Sequence, residues 1–88
     1  MTDVRRRIRD ISHGNKRWIV TLVARRHADG VWRGRVAFFP DSAARSPELE
    51  DTLTFEALDF EELAAQAVAV SPEEIRGRLD RGLRERGR

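Results

Sequence analysis

The sequence predicts one small α+β domain, in which a three-stranded antiparallel β-meander is followed by two α-helices packed on one of its faces. Three observations predict this fold: two β-rich segments flank a turn signal, a third alternating segment follows, and two helix-start signals lie in the last third. With 88 residues, 40% of them hydrophobic, the chain can build one thin core. We assign residues 17–57 to the meander and residues 59–86 to the helical pair.

The clearest predicted element is a β-hairpin formed by residues 17–25 and 31–39, which are rich in β-branched and aromatic residues. Between them lies His-Ala-Asp-Gly, residues 27–30, a turn signal whose glycine can adopt a positive φ. A three-residue loop at this point would place Val20 opposite Phe38. A slip of one residue would bring arginine onto both faces, so the apolar pattern favours this register.

The two faces of the hairpin differ in composition. The predicted register places Trp18 and Trp32 on the same face, together with the apolar residues of a core. We expect this core to contain Trp18, Val20, Leu22, Trp32, Val36, Phe38, Leu53, Phe55, Phe60, Leu63, Ile75 and Leu79. The opposite face, called the outer face below, mixes arginines with apolar side chains. Its candidate binding residues are Arg17, Ile19, Val23, Arg25, Arg33, Arg35 and Phe39.

The second half of the chain contains a third strand and two helices. Pro40 ends the second strand because proline cannot donate a ladder hydrogen bond. A polar connection follows over residues 41–50, and residues 51–57 alternate between polar and apolar side chains, as a strand does. Asp59 and Ser71 each precede a glutamate by three residues, which is a signal for the start of a helix.

The amino-terminal segment has two interpretations. Val4, Ile8 and Ile11 fit one face of a helix. A strand paired with residues 17–25 would instead bring Arg or Asp onto the apolar side. We therefore predict that residues 1–16 form a basic arm or a short helix.

Charge is segregated along the chain. Residues 1–39 carry ten Arg or Lys against three acids, residues 40–74 carry one Arg against ten acids, and residues 75–88 carry six Arg against two acids. The net charge is only +2. A folded chain with this pattern can present basic and acidic surfaces that select partners, but such surfaces perform no reaction by themselves.

The sequence offers no group of residues suited to catalysis or metal binding. Without cysteine, the chain has no disulfide and no thiolate ligand. His13 and His27 lie in predicted turns, without partners at the spacing of a metal site. No Gly-x-Ser-x-Gly motif and no glycine-rich phosphate loop occurs. We expect no enzymatic activity, no cofactor, no metal and no small-molecule substrate.

The expected location is the cytoplasm, with no membrane partner. The first 15 residues are arginine-rich and lack the apolar stretch of a signal peptide. The apolar runs are too short to cross a bilayer. Folding without cysteine needs no oxidising compartment.

These observations favour a non-catalytic protein-interaction module, which binds a protein partner or associates with itself as a homodimer. The alternative is a nucleic-acid-binding module that uses Arg17, Arg25, Arg33 and Arg35 together with the basic amino-terminal arm. A third interpretation is that these arginines pair with the acids of residues 48–62 and form an ordinary solvated face.

Overall fold

The fold is built from four strands and two helices in the computed structural model, which describes residues 3–41 and 43–87. In chain order these elements are β1 (Val4–His13), β2 (Lys16–Arg26), β3 (Trp32–Phe39), β4 (Leu49–Ala57), α1 (Phe60–Ala69) and α2 (Pro72–Arg86). The strands form one antiparallel sheet in the order β1-β2-β3-β4. The α+β class and the two carboxy-terminal helices are confirmed, whereas the sheet has four strands instead of three.

The prediction of an arm or helix over residues 1–16 was wrong, because most of this segment is strand β1. The turn that joins it to β2 contains Gly14 and Asn15, with φ values of 58° and 62°. Two adjacent residues with positive φ are typical of the tightest β-hairpin turns, and Gly and Asn adopt this conformation at low cost. The dipeptide therefore closes a hairpin and does not end a helix.

A strand over this segment was not expected because it brings arginine onto the apolar side of the sheet. A β-bulge at Ile8, between the paired residues Arg7 and Arg9, accommodates these arginines. Ile8 packs against the core. Arg9 donates a hydrogen bond of 2.7 Å from Nη2 to the carbonyl oxygen of Val68 in α1. Arg6 reaches the first turn of α1, where it pairs with Glu61. Long arginine side chains can thus start on the helix-covered face and place their charge at its rim.

The predicted β2–β3 hairpin is confirmed in its register. Val20 pairs with Phe38, and Gly30 has a φ of 84° in the turn. Trp18 is buried and Trp32 is partly buried, and both belong to the core on the helix side. The outward placement of the outer-face arginines follows from this register, because side chains alternate along a strand.

Both helices cover the inner face of the sheet. Asp59 accepts a hydrogen bond from the Glu62 amide, and Ser71 accepts one from the Glu74 amide, so the predicted caps are present. The predicted core residues that are buried are Trp18, Val20, Leu22, Val36, Phe38, Phe55, Leu63, Ile75 and Leu79, while Trp32, Leu53 and Phe60 are partly buried against them. Within residues 3–41 and 43–87, neither helix packs on the outer face.

Candidate interaction face

The seven candidate binding residues share the outer face of β2 and β3. Cross-strand pairs join Ile19 to Phe39, Val23 to Arg35, and Arg25 to Arg33. Arg17 continues the same alternation at the start of β2. The sheet therefore brings together four guanidinium groups and three apolar side chains that are up to 22 positions apart in the sequence.

Each of the four arginines has a carboxylate within 4 Å. The ion pairs are Arg17 with Asp10 (3.4 Å), Arg25 with Asp3 (2.9 Å), Arg33 with Asp29 (2.9 Å) and Glu56 (3.2 Å), and Arg35 with Glu50 (3.6 Å). Two of these acids, on β4, belong to the acidic segment 48–62, and the other three come from the amino-terminal half. The outer face thus carries interspersed charges of both signs, without a continuous basic surface.

Two of the outer-face carboxylates are held in their charged form. Hydrogen bonds from the Arg33 guanidinium, assisted by the backbone N–H of Val31, lower the pKa of Asp29. The Arg7 guanidinium lowers the pKa of Asp10 in the same way. Conversely, Asp29 and Glu56 raise the pKa of Arg33. These groups are therefore ionised at neutral pH.

The apolar residues of the outer face are covered to different extents by the chain itself. Phe39 is only 5% exposed, and the Arg5 guanidinium lies 5.4 Å from the centre of its ring. Arg5 also donates a hydrogen bond to the carbonyl oxygen of Arg45, in the connection between β3 and β4. Ile19 and Val23 remain half-buried. The face is consequently not an open apolar strip, and its accessible apolar surface lies in depressions.

Two such depressions lie on the outer face. The larger, of about 350 Å³, is next to the β2–β3 turn and includes Val23, Arg25, Arg33, Arg35, Thr54 and Glu56 in its lining. The smaller, of about 250 Å³, includes Arg5, Arg7, Ile19, Thr21, Phe39 and Asp41. Each is lined by apolar residues together with guanidinium and carboxylate groups. Apolar residues and arginine are both common at protein interfaces.

The sheet edges are less suited to binding than the outer face. β1 has its bulge at Ile8, and the pairing of β4 with β3 is irregular between Arg35 and Ala37. Both edge strands also carry charged side chains, four arginines on β1 and three acids on β4. Bulges and charges are the usual features that prevent a sheet edge from pairing with another strand.

The sequence analysis missed several residues of this face. Arg5, Arg7 and Asp10 reach it because β1 is a strand, and the Gly14-Asn15 turn was the signal that could have identified them.

The two histidines lie away from the outer-face depressions or at their border, at the two β-hairpin turns. His13 lies 3.0 Å from a carboxylate oxygen of Asp80 and joins the β1–β2 turn to α2, while His27 lies in the β2–β3 turn. Over residues 3–41 and 43–87, no three His, Cys, Asp or Glu side chains are grouped so that they could hold a metal ion. Neither helix, within those ranges, has the length and apolar character needed to cross a membrane.

Comparison of the chain with protein-family models, with curated proteins and with solved structures returned no match.

Proposed function

We propose that this chain is a non-catalytic protein-interaction module that binds its partner through the outer face of its sheet. One observation carries the proposal: the outer face, on which neither helix of the described residues packs, has depressions that combine apolar side chains with ion-paired arginines. Arginine is enriched at protein interfaces, where its long apolar stem and planar charge both contribute. The inner face is occupied by the core, and the edges are bulged and charged.

The distribution of charge favours a protein partner over a nucleic acid. A phosphate backbone that approached Arg33 or Arg35 would also meet the carboxylates of Glu50 and Glu56. These ion pairs are exposed and contribute little to stability, so a partner with charges of both signs can replace them. A protein surface has such charges, whereas a polyphosphate offers only negative ones.

Photo-crosslinking tests the proposal directly. A benzophenone amino acid replaces Thr54, which is exposed in the larger depression, and the matched control carries it at Ala65, which is exposed on α1. In cells that naturally produce the protein, we expect discrete protein adducts from position 54 and none from position 65. Equal adducts from both positions, or no protein adduct from position 54, would contradict an outer-face interaction.

The nucleic-acid alternative makes a separate prediction. Phosphate contacts are strongest at low salt, so a nucleic-acid binder should retain mixed duplex or single strands at about 50 mM salt and release them steeply as salt rises. We expect no such binding. Salt-sensitive binding that Arg33→Ala and Arg35→Ala each weaken would overturn the protein-interaction proposal in favour of the alternative.

A further inference from the structure

Three side chains of the outer face are buried, although neither helix, within residues 3–41 and 43–87, packs on that face. Thr21 is 7% exposed, Ala37 0% and Phe39 5%. Thr21 and Ala37 face each other across β2 and β3, and Phe39 is the next outward residue of β3. This outer cluster is separate from the main core cluster on the helix side. Small apolar clusters of this kind typically lie beneath long loops.

The connection between β3 and β4 lies against this outer cluster. The smaller depression is lined by two residues of the connection and by three of the sheet, namely Asp41, Ala44, Ile19, Thr21 and Phe39. The guanidinium of Arg5 lies 5.4 Å from the centre of the Phe39 ring. Its Nη1 also donates a hydrogen bond of 3.2 Å to the carbonyl oxygen of Arg45. Residues 43–47, called the cover below, are thus held at the outer face through Arg5.

The cover is attached weakly. None of residues 43–47 is buried, and none belongs to a helix or strand. Within the described parts of the chain, the bond from Arg5 is the one hydrogen bond that joins these residues to the sheet. The residue that follows is fixed, because the Glu48 N–H donates a hydrogen bond of 2.9 Å to the Phe38 carbonyl oxygen. A segment with few buried contacts opens locally at a low free-energy cost.

We infer that the cover opens and closes over the outer cluster, and that a partner binds the outer face while the cover is open. Opening breaks the hydrogen bond from Arg5 to Arg45 and leaves the sheet and the helices folded. It adds the Phe39 ring to the accessible surface, and aromatic side chains are enriched at protein interfaces. A partner that binds only the open state must supply the cost of opening, so the cover selects for well-matched partners. This inference rests on the proposed function of the outer face and describes its regulation.

Thiol labelling measures the opening, because the chain has no cysteine of its own. Ala37→Cys places a thiol beneath the cover. Val36→Cys is the matched control, since the adjacent residue is 1% exposed in the main core on the opposite face. Each variant is labelled with a disulfide reagent at increasing urea, and its global stability is measured by urea unfolding. Thr21→Cys replaces Ala37→Cys if the latter does not fold.

The dependence on urea separates local opening from global unfolding, because the effect of urea scales with the surface exposed. We expect the thiol at position 37 to react at least about tenfold faster than global unfolding of that variant allows, at a rate that changes little below the unfolding transition. The thiol at position 36 should react only as fast as global unfolding allows.

Arg5→Ala tests the attachment of the cover. It removes the hydrogen bond to the Arg45 carbonyl oxygen, so labelling at position 37 should become about tenfold faster. Arg7→Ala is the matched control, because Arg7 lines the same depression from the same strand but pairs with Asp10. It should leave this rate within about twofold. In the crosslinking experiment, Arg5→Ala should also raise the adduct yield from position 54, and Arg7→Ala should not.

Three results would overturn the inference: labelling at position 37 that follows global unfolding as labelling at position 36 does, equal acceleration by Arg5→Ala and Arg7→Ala, or an adduct yield that Arg5→Ala leaves unchanged or lowers. Failure of the outer-face proposal itself looks different. If position 54 gives no protein adduct while position 37 is labelled through local opening, the cover opens and the outer-face interaction is what fails. If position 54 gives adducts while position 37 is labelled only through global unfolding, the partner binds with the cover closed.

Discussion

The inner and outer faces of the same sheet are built on different physical principles. On β3, Val36 and Phe38 point inward and are 1% and 0% exposed, whereas Arg35 between Gly34 and Val36 points outward with half of its side chain exposed. The inner face is stabilised by apolar burial under two helices. The outer face is covered by ion pairs that water and salt weaken. The inner face therefore determines the fold, and the outer face is the surface to which we assign the proposed recognition.

The largest expected effect is on the inner face. Phe38→Ala removes a fully buried aromatic ring from the core between the sheet and the helices, and should lower the free energy of unfolding by about 3–5 kcal/mol. Urea unfolding followed by circular dichroism measures this change. A loss below about 1 kcal/mol would show that the helices do not pack on this face as described.

The next effect tests how closely α2 lies on the sheet. A methyl group at Gly82 would overlap with the Leu49 side chain of β4, so Gly82→Ala should destabilise the fold by about 1–3 kcal/mol. Gly77→Ala is the matched control on the same helix, because no atom outside the adjacent helix backbone and the two chain neighbours lies within 4 Å of the added group. Helix propensity alone should make Gly77→Ala more stable by about 1 kcal/mol.

Urea midpoints of these two glycine variants should therefore move in opposite directions. If both variants were stabilised by the same amount, α2 would not make the close contact with Leu49. From the sequence alone, both glycines predict only a weakened helix, and the structure is what separates them.

Acid should lower the stability of the fold by protonating carboxylates of the outer face. The pKa values of Asp10 and Asp29 are lowered from their ordinary value of 3.8 by Arg7 and Arg33. A lowered folded-state pKa stabilises the fold above the ordinary carboxyl pKa, and this contribution is lost as pH falls through the folded-state value. The thermal midpoint should hence drop between pH 5 and pH 3.

The double variant Asp10→Asn and Asp29→Asn isolates this effect. It should be less stable than the original chain at pH 7 and should show a smaller fall in thermal midpoint on acidification. If the thermal midpoint of the double variant fell on acidification as much as that of the original chain, these two carboxylates would not be the source of the pH dependence.

The smallest effect is expected from a single outer-face arginine. Arg35→Ala removes an exposed ion pair with Glu50, so it should change the free energy of unfolding by less than about 1 kcal/mol. Compared with Phe38→Ala three residues away, this variant measures the difference between the two faces on one strand. If Arg35→Ala lowered the free energy of unfolding as much as Phe38→Ala does, the inner and outer faces would not differ in their contribution to stability.

The β2–β3 hairpin and the helix caps were predictable from sequence because each depends on local signals. Gly30 in the turn and the alternation around Trp18 fix a single register, and Asp59 and Ser71 begin helices through hydrogen bonds within three residues. Strand β1 has a local signal in the Gly14-Asn15 turn, but its bulge at Ile8 shifts the apolar pattern, and the pattern alone therefore does not predict it.

The candidate site was predictable only in part. The shared face of Arg17, Arg25, Arg33 and Arg35 follows from the hairpin register, but their carboxylate partners do not. Asp3 and Asp10 reach the face through β1, and the connection at Arg45 folds against Arg5, which are long-range contacts without a local signal.

Photo-crosslinking from position 54, with position 65 as the matched control, tests the central claim, that the outer face is the interaction surface, most directly. The account predicts discrete protein adducts from position 54 and none from position 65. Equal adducts from both positions, or no protein adduct from position 54, would contradict it.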